Sequence, residues 1–114
     1  MEALIAQLRE FAARRDWGQF HSPKNLAIAV AVEAAELLEH FQWCTEEESR
    51  ALQPAHLAAV REEIGDVLIY LASLADELGI DPLEAAMEKM RVNEGRYPAD
   101  QARGSAAKYT EYGA

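Results

Sequence analysis

The chain is poor in the residues that most often announce a chemistry. It has one cysteine, Cys44, in 114 residues. That excludes an intrachain disulfide and a cysteine-rich zinc site, and it fits a reducing compartment. Histidine is scarce, with three residues, His21, His40 and His56. Basic residues are outnumbered by acidic ones, 11 against 20, for a net charge of −9. Such a balance argues against generic binding to nucleic acid or to an anionic membrane. No apolar run approaches the roughly 20 residues of a membrane span. The N-terminal residues lack the charged and apolar regions of a signal peptide, so a cytoplasmic protein is expected. β-Branched residues are few beside Ala and Leu, which favours helices over strands. There is no Gly-x-x-x-x-Gly-Lys-Ser/Thr loop, no Gly-x-Ser-x-Gly, no His-Glu-x-x-His and no cysteine–histidine nucleophile. Covalent catalysis is therefore unsupported.

What is present is helical periodicity. Leu4, Ile5, Leu8, Phe11 and Ala12 form a stripe within a first helix over residues 2–15. A loop, 16–21, follows. Ser22 and Pro23 suit the N-cap and first position of a second helix reaching about residue 42. Its stretch 26–32 is apolar all round, as in a helix enclosed by neighbours. Residues 46–52 suit a short helical turn, and a third helix is expected over 55–78 with Gly79 as its C-cap. Asp81, Pro82 and Glu84 resemble a capping box that starts a fourth helix, which Gly95 would end near residue 94. A tail from Arg96 carries Tyr97, Arg103 and Lys108. The expected architecture is all-α, a single four-helix bundle-type domain over 1–114. A chain this apolar would leave surface uncovered unless copies associate.

Acidic residues interrupt these apolar helices. Glu33 and Glu36 lie in the second helix, Glu63 and Asp66 in the third, each pair spaced i, i+3 and so sharing a face. Charged carboxylates are almost never buried without compensation. Two such helices face to face would gather oxygen donors for a hard divalent cation, with Mg2+ the expected ion. The polar stripes extend to His40 and Trp43 on one helix and to Tyr70 and Ser73 on the other. The plain alternative is a solvated helix face. That reading suits Glu39, Glu46, Glu47, Glu48 and Glu62, whereas the neighbours of the paired acids are too apolar for it. A di-iron site would need Glu-x-x-His, but His40 follows Glu36 by four residues. An all-oxygen site supports metal-assisted hydrolysis at phosphorus.

Glu33-Ala-Ala-Glu36 followed by Glu63-Ile-Gly-Asp66 resembles the E-x-x-E … E-x-x-D pattern of the all-α, MazG-like nucleoside triphosphate pyrophosphatases, and most closely their dCTP pyrophosphatase branch. The resemblance extends through segments 15–26, 41–43, 63–70, 89–98 and 108–111. It implies hydrolysis of a nucleoside triphosphate, dCTP or a modified dCTP, to monophosphate and pyrophosphate. It also implies Mg2+, or Mn2+ in its place, on Glu33, Glu36, Glu63 and Asp66. One of the glutamates, Glu33 or Glu36, would orient or deprotonate water. Lys89, Asn93, Arg96 and Tyr97 correspond to phosphate- and sugar-contacting residues, though Lys89 and Arg96 also suit ordinary surface charge. Trp17, Trp43 and Tyr70 resemble residues lining a base pocket, with core packing as their alternative. Lys24 and Asn25 open a helix whose free N–H groups favour anions; His21, just before them, suits donation to the nucleotide, with a capping or loop role as its alternative. The chain carries Leu8 where that branch can carry a histidine, and His40 is outside the family pattern. A homodimer or homotetramer is implied. The competing readings are a non-catalytic, metal-stabilised helical interaction module and a di-iron carboxylate protein.

Overall fold

The computed structural model describes residues 1–111. Its elements run α1 (Glu2–Arg14), a 3-10 turn (Gly18–Phe20), α2 (Pro23–Glu39), α3 (Glu46–Ser49), α4 (Pro54–Glu77), α5 (Pro82–Arg96), α6 (Ala99–Ala102) and a second 3-10 turn (Tyr109–Glu111). No strand occurs among the described residues. The chain divides into two compact units, Met1–Ile80 and a second from Asp81 onward.

In the first unit α2 packs along α4, and α1 lies on α4. The starts follow the local chemistry. Ser22 Oγ accepts from Asn25 N at 3.1 Å, with Pro23 at the first helical position of α2. Pro54 likewise opens α4. At the far end of α4, Gly79 takes φ +67°, a left-handed cap natural to glycine. Thr45 and Glu48 close a reciprocal capping box on α3, with bonds of 3.0 and 3.1 Å. That box went unnoticed in the sequence, and the expected turn is shorter than 46–52. Asp81 caps α5 by accepting from Leu83 N and Glu84 N, without a return bond from Glu84 among the described residues.

Two expected helix ends are corrected. α2 stops at Glu39, not near residue 42, because the chain tightens there: Phe41 N and Gln42 N both donate to Leu38 O at 2.9 Å. The His56 ring nitrogen holds the His40 carbonyl oxygen at 2.6 Å, which occupies a helix-end acceptor. Gly95 does not end α5, which continues through Arg96. Glycine weakens a helix by about 1 kcal/mol without breaking it, and Gly95 is not left-handed here.

Few residues are buried. Leu26, Val60, Ala72 and Ala75 form the enclosed core. The apolar run of α2 is not enclosed within one chain: Ile28 and Val32 remain about half exposed, at 52% and 50%. On α4 and its C-cap, Leu57, Ile64, Leu68, Leu71 and finally the cap residue Leu78 are also open and follow one another at spacings of seven, four, three and seven residues. That spacing puts them on one stripe. Among the described residues no helix is long and apolar enough to cross a membrane.

Candidate active site

The pairing of α2 with α4 brings acidic side chains together. Oxygens of Glu33, Glu36 and Glu63 all lie within 4.8 Å of one another. Glu33 and Glu63 are half-buried, and the Oε2 atom of each is enclosed with no hydrogen-bond partner. Salt bridges among the described residues involve neither these acids nor Asp66. Partial burial, then hydrogen bonding to Glu36 and Glu63, and then the charges of Glu36 and Asp66 push the Glu33 carboxyl up to about 7. Orphaned buried oxygens and crowded negative charge fit a bound cation, and the donors are carboxylate oxygens throughout, suited to a hard ion. Asp66, one turn beyond Glu63 on α4, acts on Glu33 electrostatically but stands outside the three-residue cluster. The expected fourfold set is thus a close trio with Asp66 beside it.

Asp66 also opens onto a cleft of about 420 Å³ between α1 and α4. From α4 the cleft takes Asp66, Ile69, Tyr70 and Ser73; from α1 it takes Leu4, Gln7, Leu8 and Phe11. Trp17 and His21 close it from the connecting loop. That loop is held firmly. Asp16 takes φ 52°, a left-handed conformation that Asp tolerates better than most residues. Trp17 N returns to Ala12 O at 3.0 Å, and Gln19 Nε2 donates to Asp16 O at 3.0 Å. The Arg15 guanidinium covers the Phe11 ring at 3.6 Å, while Trp17 meets Phe11 edge-on at 5.6 Å. His21 stands 6.4 Å from Trp17, ring to ring. Asn25 Nδ2 donates to Phe20 O at 2.9 Å, so this side chain holds the loop.

The other expected site residues lie on α2, after it, and on α5. Lys24 is exposed on the first turn of α2. Trp43 is beyond the end of α2 and 89% exposed, so the stripe drawn from Glu33 through His40 to Trp43 does not continue along one helix. His40 is the C-cap of α2. On α5, Lys89, Asn93 and Arg96 share a face at i, i+4, i+7, with Tyr97 following as its C-cap. The sequence reading missed the part played by α1. Gln7 and Phe11 were given no place in the site, and Leu8 entered only as a departure from the resembled branch, yet all three wall the cleft; the signal was Phe11 four residues before Arg15, beside the Trp17 loop.

A family model described as MazG-like matches residues 28–112. The chain belongs to the MazG-like family. This MazG-like chain is 50% identical over 104 residues to dCTP pyrophosphatase 1 of Rattus norvegicus and to that of Homo sapiens, covering 90% of the chain and 61% of each relative. It thus spans about three-fifths of the length of the curated relatives it matches. A crystal structure of a pyrophosphatase from Archaeoglobus fulgidus superposes with a TM-score of 0.81 at 47% identity, covering 86% of this chain and 92% of that one.

Proposed function

We infer that the protein is a cytoplasmic, Mg2+-dependent pyrophosphohydrolase that cleaves a nucleoside triphosphate, dCTP or a modified dCTP, to monophosphate and pyrophosphate. The observation that carries this reading is the carboxylate trio with its two orphaned buried oxygens, set beside a cleft walled by Trp17 and Tyr70. The names of the relatives point to the same reaction.

Glu33, Glu36 and Glu63, with Asp66 beside them, would hold Mg2+, or Mn2+ in its place. Such an ion, when bound, neutralises triphosphate charge and polarises a phosphoryl oxygen. The carboxylates' own tasks are to orient water toward the α-phosphorus and to take its proton, a role for Glu33 or Glu36. As the new phosphorus–oxygen bond forms, the bond from the α-phosphorus to the bridging oxygen breaks, and pyrophosphate leaves. Trp17 and Tyr70 would flank the base, with Trp43 as a further aromatic contact, and His21, Lys24 and Asn25 would serve the nucleotide from the loop and α2. Lys89, Asn93, Arg96 and Tyr97 would contact phosphates and sugar, since their donors suit anionic oxygens.

Association into a homodimer or homotetramer belongs to the same reading. It is supported by the open apolar stripe of α4 and by Ile28 and Val32 on α2, a surface too apolar to leave in water. The reaction is tested by incubating the protein with dCTP and Mg2+ and separating the products. dCMP and pyrophosphate in equal amounts are expected; dCDP and orthophosphate would sink the assignment.

A further inference from the structure

The cleft between α1 and α4 is lined, beside Trp17, His21 and Tyr70, by two polar side chains to which the function inferred above gives no task. Gln7 is exposed on α1 and Ser73 half-buried on α4. Neither makes a side-chain hydrogen bond among the described residues. Leu4, Leu8 and Ile69 around them are apolar and offer a base nothing to pair with. Along α4, Ser73 follows Asp66 by seven residues, which is two turns and about 10 Å of rise. That distance is comparable with the reach of a nucleotide from its α-phosphate to the far edge of its base. With phosphates at the acidic end, the base edge would arrive beside Ser73 and Gln7.

Taking the cleft as the base site, as in the function inferred above, we propose that Gln7, assisted by Ser73, reads the hydrogen-bonding edge of the base and accepts both cytosine and uracil edges. A carboxamide carries a donor and an acceptor side by side and can turn end over end, and a hydroxyl can rotate between both roles. Cytosine offers an amino donor next to a ring-nitrogen acceptor; uracil offers a carbonyl acceptor next to a ring N–H. Gln7 matches either by reversing its amide. Gln7 and Ser73 themselves leave the order of donor and acceptor open.

The test compares kcat/KM for dCTP and dUTP, with Mg2+, in the full chain and in Gln7→Leu and Gln7→Glu. Gln7 is exposed and unbonded, so neither change threatens the fold. The unaltered protein should use the two substrates within about tenfold of each other, and Gln7→Leu should lower both by about tenfold. A carboxylate only accepts, and so finds one donor on either edge, the cytosine amino group or the uracil ring N–H, and faces a repelling acceptor beside it. Gln7→Glu should therefore also lower both constants by about tenfold, through KM, and leave the dCTP-to-dUTP ratio within about threefold at unchanged Tm, whereas a merely structural role would lower Tm. Unchanged constants in both variants, or a hundredfold preference in the unaltered protein, would overturn the proposal. Trp17→Ala separates the two levels of the argument. A loss of about tenfold to a hundredfold, as for removal of a stacked ring, keeps the cleft as the base site even if Gln7 fails. No loss at all removes the base site and the proposal with it.

Discussion

The faces of α2 and α4 are incomplete in two opposite ways. One region gathers Glu33, Glu36 and Glu63 and encloses two carboxylate oxygens without partners. The other leaves Ile28, Val32, Leu57, Ile64, Leu68 and Leu71 open. The first has polar groups deprived of water, the second apolar groups left in it. Each is costly alone, and under the function proposed above the complements would be a cation for the acids and a second copy for the stripe. The contrast teaches that the same two helices present faces calling for different kinds of partner.

The largest effect is expected on the acidic side. Glu36→Gln should lower pyrophosphate release by about a hundredfold or more, since removing one donor costs several kcal/mol of charge stabilisation. Circular dichroism should stay helical, because the residue belongs to no buried core; retained turnover would separate Glu36 from the chemistry.

On the apolar side, Leu68→Glu sets a charge in the middle of the stripe. If copies of the chain cover that stripe, sedimentation should show the assembly weakened by about a hundredfold in dissociation constant. An unchanged mass would mean that the stripe is not the surface through which copies meet.

A smaller, pH-dependent effect connects the two faces through stability. The Glu33 carboxyl is raised from 4.5 to about 7 in the folded chain, so the fold holds its proton more tightly than the unfolded chain does. Its stabilising contribution is whole below about 4.5 and is lost as pH rises through 7. Glu33→Gln has no such proton to lose. In a chelator, the Tm of the variant relative to the unaltered protein should therefore rise by a few degrees between pH 5 and pH 8. The low-titrating carboxyls held down by their partners, Asp76 by Arg9 and Glu48 by Thr45, are present in both proteins and cancel. A difference independent of pH would show that crowding at Glu33 has been overstated.

Much of this was legible in the sequence, for identifiable reasons. The paired acids stood out because helical spacing and an apolar background are local properties. The Ser22–Pro23 and Gly79 signals placed helix ends for the same reason. The end of α2 was not legible, because it depends on His56, 16 residues further along, reaching the His40 carbonyl. Trp43 was placed on the acidic stripe by extending a helix that had already stopped. The cleft was hidden because it is made by α1 meeting α4, a long-range contact that no window of sequence contains. Gln7 carried no signal in the sequence, and it joins Ser73 in the cleft only because α1 meets α4.

The central claim is that the acids hold a divalent cation, as proposed above, and it is tested most directly by titrating Mg2+ into the chelator-stripped protein at pH 7.5 while following Tm and heat. The unaltered chain should bind and be stabilised, by roughly 1–3 kcal/mol once Mg2+ is in tenfold to hundredfold excess over its dissociation constant. Glu63→Gln, which removes one of the two orphaned oxygens, should need at least about tenfold more Mg2+ for the same shift. Identical titrations of the two proteins would contradict the account.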